Sequence, residues 1–441
     1  MLFLCVDFFV QHHRCKRSIP TVSSSSKTVI CNIFKLRRKP DTIPHFHQNI
    51  ASILLEKYDE IKKAAKAIEN EIIENRRYIH EYPEIGLELT RTSMFVAQKL
   101  SEMGYEVEEI CKCGILAKIG KKGKTLLIRA DMDALRINEE GDYEFKSKNP
   151  GVMHACGHDG HVTIGLGLAK LISEYKEEMA GTIKLIFQPA EEGVRGARAM
   201  VAKGIVDDVD YMFGGHIGFK ATKSDSLVCL TGGFLATTKL DASFKGESSH
   251  AGAAPERGRN ALLAAAASCI ALHSISRHGQ GASRINVGVL QAGTGRNVLP
   301  DVGLIKMETR GANTEINEFM VTEARRMIKA SADMYNVDVT VSEAGGAPAC
   351  VADHELGAEI KALAEACGQY GQVVDYMDLG GSEDCSYFME RVQQNGGRAA
   401  YLMYGTEIAA GHHNSCFDFD EKCLYKAVAM LTELAIAYTN K

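Results

Sequence analysis

No stretch of this chain approaches the ~18–20 consecutive apolar residues that a membrane-spanning helix requires, so the sequence offers no candidate transmembrane helix. It lacks an excess of charge of one sign. Lys and Arg number 51 against 56 Asp and Glu, a net charge of −5, which gives no reason to expect nucleic acid or an anionic membrane as partner. A disulfide framework is missing too. The 13 cysteines are odd in number and scattered, the pattern of free thiols in a reducing compartment such as the cytoplasm. Cys111 and Cys113 flank one lysine with no second pair nearby, so no metal role is expected for them. There is no internal repeat, and no low-complexity segment outside the first fifty residues.

The positive composition is that of a soluble globular protein, with 45% hydrophobic and 24% charged residues. At 441 residues the chain should hold two or three domains. The first fifty residues stand apart. Met1–Val10 is largely apolar, a basic, Ser-rich stretch follows, and Asp7 and Asp41 are the only acids of the first fifty residues. Several readings stay open for this segment, taken as residues 1–52: a transit-type presequence, a poor secretory signal interrupted by Asp7, a disordered tail, or an over-extended gene start. It is excluded from the fold.

Apolar residues at helical intervals predict a helix over 54–80, and a second over 90–103 closed by Gly104. Two short strands are expected around Gly114. Residues 125–130 form a short apolar run that reads as a buried strand ending at Asp131-Met132-Asp133. A helix over 161–175 follows, then a buried strand over 182–187 that runs into Gln188-Pro189-Ala190-Glu191-Glu192-Gly193. Residues 210–214 lead to His216. Three strands that each end at polar donors predict a parallel, doubly wound sheet with a site at its carboxyl edge. From Gly233 the pattern becomes β-α-β-β-α-β, the order of a ferredoxin-like unit. It reads as inserted, because α/β patterning resumes near Glu355. The expected layout is a catalytic domain at 53–232 and 346–441 interrupted by a small α+β domain at 233–345.

The chemistry is concentrated in residues 153–161, Met-His-Ala-Cys-Gly-His-Asp-Gly-His. His154, Cys156, His158, Asp159 and His161 are donors for a transition metal. Two metal ions ~3.5–4 Å apart need a bridging ligand and several others. The candidates are Cys156, His158, Glu192, His216 and one of His412 and His413. Such a set suits Zn, Mn, Co or Ni rather than Mg or Ca. Adjacent glutamates would face opposite ways in a strand, but Pro189 argues for a loop that turns both to one site. One can then bind metal while the other takes a proton from water. A lone histidine is usually structural, so His154 and His161 are expected in supporting or core positions.

The segments Arg129–Leu135, His154–Asp159 and Phe187–Gly193 resemble the M20 metallopeptidases, in their amidohydrolase branch. The resemblance runs in order through about residues 55–441. Further stretches, among them Arg195–Met200, Leu235–Lys239, Glu308–Ala312 and Ala409–Asn414, are similar to the p-aminobenzoyl-glutamate hydrolase group of that branch. The resemblance implies a metal-dependent exopeptidase-like α/β catalytic domain with a doubly wound sheet, and an inserted ferredoxin-like lid and dimerisation domain. It implies Cys156 as bridging ligand, with His158, Glu192, His216 and His413 as the other ligands, Glu191 as general base and Asp131 as a carboxylate beside the metals. It implies that His250 reaches a partner subunit's site and polarises the scissile carbonyl, and that Asn297 and Arg310 hold the substrate.

The implied cofactor is two divalent ions, Mn or Zn, and the implied assembly a homodimer or a heteromer with a homologous subunit. The implied reaction is hydrolysis of the amide of p-aminobenzoyl-glutamate or a similar N-acyl amino acid. The alternatives are a general N-acyl-amino-acid amidohydrolase, a dipeptidase, or the non-catalytic component of a heteromeric hydrolase. Arg136 stands where the branch usually has Pro after Ala134-Leu135, and the branch's Pro is missing from His413–Phe417. These departures bear on substrate choice and leave the ligand set intact.

Overall fold

A computed structural model describes residues 45–441, with side chains from Glu56 onward. The readings of residues 1–44 as presequence or tail lie outside the described residues. The chain divides into two units, Met1–Glu56 and Lys57–Lys441, and the site belongs to the second. In chain order the elements are α1 (His45–Ala67), α2 (Glu69–Glu81), α3 (Thr90–Glu102), β1 (Glu106–Cys111), β2 (Gly114–Gly120), β3 (Thr125–Asp131), α4 (His158–Tyr175), β4 (Thr182–Gln188), α5 (Gly196–Val201), β5 (Tyr211–Ile217), β6 (Ser226–Val228) and β7 (Thr231–Gly232). Then come β8 (Ala236–Lys245), α6 (Ala261–His273), β9 (Ser283–Ala292), β10 (Val302–Gly311), α7 (Thr314–Met334) and β11 (Asp338–Ala347). The chain closes with α8 (His354–Cys367), β12 (Gln372–Val374), β13 (Met377–Asp378), α9 (Ser386–Gln394), β14 (Arg398–Tyr404) and α10 (Lys422–Thr439).

The main sheet has the order β1-β2-β4-β3-β5-β14-β6-β12. Its centre, β4-β3-β5-β14, is parallel. β1 and β2 are antiparallel at one side, and β6 is antiparallel to β14 on the other. The expected parallel sheet is therefore the middle of a mixed one, because short hairpin connections such as the one after β1 only allow antiparallel neighbours. Both faces are covered, so every residue of β3 is buried. Leu126 and Ile128 join one core with Ile164, Leu168, Val428 and Leu431 of α4 and α10. Leu127 points the other way, into a core with Phe388 and Met389 of α9.

β8 to β11 form a second sheet of order β11-β8-β10-β9 with antiparallel pairing throughout. Leu240, Phe244, Ile305 and Met307 on one face pack with Ala265, Leu272, Met320 and Ile328 of α6 and α7. This is the ferredoxin-like order the sequence predicts. Both helices start at an asparagine whose side chain accepts a backbone N–H, Asn260 from Leu263 and Asn313 from Ile316. The sheet touches the loop that carries Glu191 and Glu192 directly. Lys239 Nζ donates to the carbonyl of Glu192 at 3.2 Å, and the Gly346 N–H donates to the carbonyl of Val194 at 3.0 Å.

Two helical expectations are corrected. The helix predicted over 54–80 is broken at Ile68, with φ −97° and ψ 7°. The Ile72 N–H still donates to the Ile68 carbonyl at 3.1 Å, so the apolar periodicity survives the break and hides it. The helix predicted from His161 starts three residues earlier, at His158.

The start of α4 is fixed by a buried ion cluster. Arg76 on α2 is fully buried, and its Nε donates to Asp159 at 2.7 Å. Its other nitrogens reach Asp418 at 2.6 Å and Glu421 at 3.0 Å, beside α10. His80 adds a 2.9 Å contact to Asp159. Removing one partner of such a cluster strands buried charge. Arg76→Met should lower unfolding stability by about 3–5 kcal/mol. Arg77→Met, at a half-exposed partner of Glu421, should cost less than about 1 kcal/mol. Denaturant titration of both variants checks this.

Glu433 of α10 is buried, and burial lifts its pKa to about 8 against the opposing charge of Lys57. The folded state therefore holds this proton more tightly than the unfolded chain does. Its contribution is present below the usual glutamate pKa and is lost as pH rises through about 8. The melting temperature of Glu433→Gln relative to the native chain should rise between pH 5 and pH 9.

Candidate metal centre

The nine-residue donor stretch enters the site through Gly157, which adopts φ +87°. A Cβ on Gly157 would lie 3.6 Å from the Ile217 Cβ, so the position is limited more by backbone strain than by space. This turn leaves Cys156 on the incoming loop and His158 on the first turn of α4. His216 arrives at the end of β5. Cys156 Sγ lies 3.5 Å from His216 Nε2, and Cys156, His158 and His216 form one group of buried donors within 4.8 Å of one another.

Backbone carbonyls decide which ring nitrogens face inward. His158 Nδ1 lies 2.8 Å from the carbonyl of Asp133, and His216 Nδ1 lies 2.8 Å from that of Ile217. A carbonyl only accepts, so each Nδ1 carries the proton. In the neutral ring each Nε2 then offers its lone pair to the cluster. His158 Nε2 is buried with no hydrogen-bond partner.

The carboxylates come from the loop after β4. Ala190 at φ +55° and Val194 at φ +49° bracket a tight turn in which the Val194 N–H donates to the Glu191 carbonyl at 2.6 Å. Asp133, just past β3, accepts the N–H groups of Glu191 at 2.8 Å and Glu192 at 3.3 Å. Both glutamates thereby face His158, and the three form a second donor group. The His413 N–H donates to the carbonyl of Ala155 at 2.7 Å, next to Cys156. His413 Nε2 approaches Glu192 Oε1 at 3.4 Å, and Cys156, Glu192 and His413 make a third group. His412 is tied off instead, with Nε2 3.1 Å from the Ile217 carbonyl.

Behind these donors lies Arg129, buried on β3. It donates to Gln188 at 2.7 Å, Asp131 at 2.6 Å and Glu383 at 2.9 Å, and contacts Asp384 at 3.3 Å. Asp131 in turn takes a 2.6 Å bond from His161 Nδ1, and His161 Nε2 accepts the Ile217 N–H at 2.9 Å. Asp131 lies 3.6 Å from His158 Nε2. His154 is buried with neither ring nitrogen bonded, and burial lowers its pKa to about 3.

The electrostatics ask for positive charge. Burial, with the charges of Glu383 and Glu192, holds Glu191 well above the usual carboxylate range. Burial raises Asp133 to about 7. Burial and the two glutamates hold the Cys156 thiol well above its ordinary value. Burial works to lower His158, yet Asp131, Glu192 and Asp133 outweigh it and lift the ring to about 9. A cation among these donors relieves all four perturbations. The orphaned His158 Nε2 and the thiol, imidazole and carboxylate donors fit divalent transition ions.

Of the residues singled out from sequence, Cys156, His158, Glu191, Glu192, His216 and His413 meet here, and Asp131 stands directly beside them. His250, Asn297 and Arg310 are not brought to this cluster. His250 is exposed on the second sheet's loop, where Nδ1 accepts the N–H groups of Gly252 and Ala253, both at 3.1 Å. Asn297 is held next to it, since its carbonyl accepts the Ala251 N–H at 3.0 Å. Arg310 lies on β10, paired with Glu308 at 3.0 Å.

Sequence reasoning missed Arg129, Glu383 and Asp384 altogether, and it noted Asp133 only as a strand-end donor. Arg129 inside an apolar strand was the available signal, because a charge there must have buried partners.

A doubly wound sheet with thiol, imidazole and carboxylate donors at the carboxyl edge of its parallel strands defines the class of metal-dependent hydrolases. The chain belongs to peptidase family M20/M25/M40, whose model matches residues 127–437. It is 43% identical over 418 residues to the indole-3-acetyl-aspartic acid hydrolase of Enterobacter agglomerans, spanning 83% of this chain and 96% of that one. It is 42% identical over 413 residues to one of the subunits of the p-aminobenzoyl-glutamate hydrolase of Escherichia coli (strain K12), spanning 82% and 94%. The crystal structure of aminobenzoyl-glutamate utilization protein from Klebsiella pneumoniae matches with a TM-score of 0.74 and 36% identity, over 86% of this chain and 99% of that chain.

Asp133 is a positioning residue in this arrangement. Asp133→Ala should cut catalytic rate by about 10–100-fold, the usual cost of losing a group that orients site residues. Thermal unfolding and bound-metal content should change little. A matching loss of stability would instead make Asp133 purely structural.

Proposed function

We propose that this hydrolase cleaves the amide bond of p-aminobenzoyl-glutamate or a closely similar N-acyl amino acid. The observation that carries the reading is the shared position of Cys156. It belongs both to the group with His158 and His216 and to the group with Glu192 and His413, which suits a bridge between two divalent ions, Mn or Zn. When bound, such ions acidify water and polarise a carbonyl. Glu191, kept basic by burial and by its acidic neighbours, accepts a proton from the attacking water. The water oxygen bonds to the scissile carbonyl carbon. The C–N bond then breaks as Glu191 delivers the proton to the amine nitrogen. Asp131 orients the histidines.

The proposal gives residues 53–232 and 346–441 the catalytic role and 233–345 the lid and dimerisation role. His250 serves the site of a partner copy. Its Nδ1 is already engaged by two N–H groups, so the neutral ring carries its proton on Nε2 and can donate to the carbonyl oxygen. Asn297 and Arg310 hold the substrate, Arg310 through its α-carboxylate. Assembly is a homodimer or a heteromer with a homologous subunit, in the cytoplasm. The heteromeric form is motivated by the Escherichia coli relative, which is itself one component of a hydrolase named for more than one.

The test is release of p-aminobenzoate by the purified chain loaded with Mn or Zn. Glu191→Ala should lower kcat by about 10²–10⁴-fold with metal content unchanged. Near-full hydrolysis by that variant with metal bound would overturn the mechanism. Chelation should abolish activity, and Mn or Zn should restore it. A strictly monomeric preparation should be inactive, which dilution kinetics with sizing can check.

A further inference from the structure

We propose that Arg284, beside Arg310 on the open face of the second sheet, forms a second carboxylate-binding position that selects amides of dicarboxylic amino acids. The proposal rests on the amide-hydrolase reading above. Met307 and Thr309 of β10 are buried on the helix side, so Glu308 and Arg310 alternate onto the other face. Arg284 of β9 is the direct cross-strand partner of Arg310, and directly opposed residues share a face with Cβ atoms about 5 Å apart. Like charges in that relation are destabilising. Glu308 engages Arg310 at 3.0 and 3.3 Å. The Arg284 side chain has no hydrogen bond or ion pair among the described residues.

The two arginines open on a cleft of about 390 Å³ that Arg277, Asn286 and Glu308 also line. Three guanidiniums face one carboxylate there, and Arg277 is partly spent on the Ser283 carbonyl at 2.5 Å. The surplus is two positive charges. A substrate whose amine portion carries two carboxylates balances it, and their spacing along a short carbon chain matches an opposed pair of side chains. The cleft also lies toward the chemistry. Glu308 is opposite Lys239 in the register, and Lys239 holds the Glu192 carbonyl at 3.2 Å. Arg284 is two strands from Lys239, about 10 Å across the sheet. Arg310 thus takes the α-carboxylate, and Arg284 the side-chain carboxylate.

The experiment compares N-benzoyl-glutamate, N-benzoyl-glutamine and N-benzoyl-glycine on the metal-loaded full chain. The native enzyme should prefer the glutamate amide to its neutral glutamine counterpart. Arg284→Gln should lower kcat/KM for the glutamate amide by on the order of 10–100-fold, the worth of a charged hydrogen bond. The other two substrates should change less than about threefold. Arg284→Lys, which keeps the charge and loses the fork, should recover part of the loss. Equal losses on all three substrates, or a native enzyme indifferent to the glutamate charge, would overturn the subsite. If the native chain cleaves none of the panel, the amide-hydrolase reading fails, and calorimetric titration with L-glutamate and glycine decides the subsite separately. Glutamate binding weakened by Arg284→Gln upholds it, and glutamate binding that is absent or unchanged by the substitution sinks it.

Discussion

A single buried guanidinium holds the back of this site together. Arg129 projects from the central strand β3 and joins Asp131, Gln188, Glu383 and Asp384. Those partners come from β3, from the end of β4 and from the segment before α9, three places far apart in the chain. Buried carboxylates at this density repel one another, and Arg129 is the fixed cation that lets Asp131 stay ionised, well below the usual carboxylate range despite burial. Asp384, farther from that charge and beside Glu383, is pushed up by burial to about 8. The same region therefore holds one carboxylate firmly charged and another readily protonated.

The geometry of the donor cluster depends on that framework through the backbone. His158 and His216 are oriented by main-chain carbonyls, and Glu191 and Glu192 by main-chain N–H groups held on Asp133. Side chains positioned by strand ends and a helix start move less than side chains on free loops. The Arg76 cluster serves the same end from the opposite side, since it pins Asp159 next to His158. The second sheet adds a different kind of control. Its Lys239 and Gly346 touch the glutamate loop, while its own polar groups face an open cleft. The donor cluster and the open cleft thus lie on separate sheets that meet at one loop.

Much of this was legible beforehand, for identifiable reasons. The strands β3, β4 and β5 are short apolar runs ending in polar donors, and that pattern reports both burial and the site edge. The βαββαβ unit shows because periodicity changes from one segment to the next. The break at Ile68 was invisible because the apolar spacing continues through it. The antiparallel flanks of the main sheet were not foreseen, since strand order depends on which edges meet. The early start of α4 was missed because a left-handed Gly157 turns the chain into the helix before the apolar pattern begins.

What the sequence by itself determined is the inventory: a thiol, several imidazoles and a pair of glutamates at the ends of buried strands, in a chain with no apolar run long enough for a membrane-spanning helix and no strong charge bias. Chemistry of that kind is written in residue types and short spacings. Only the tertiary structure decided who meets whom. It chose His413 over His412 for the cluster by tying His412 to the Ile217 carbonyl. It gave His161 to Asp131, and it put Arg129 and Asp133 behind the donors. It also left His250 exposed on a loop of the second sheet, outside the donor groups, and set Arg284 opposite Arg310. These choices depend on distances across strands and between distant loops, and long-range pairing of that kind leaves no local pattern in the chain.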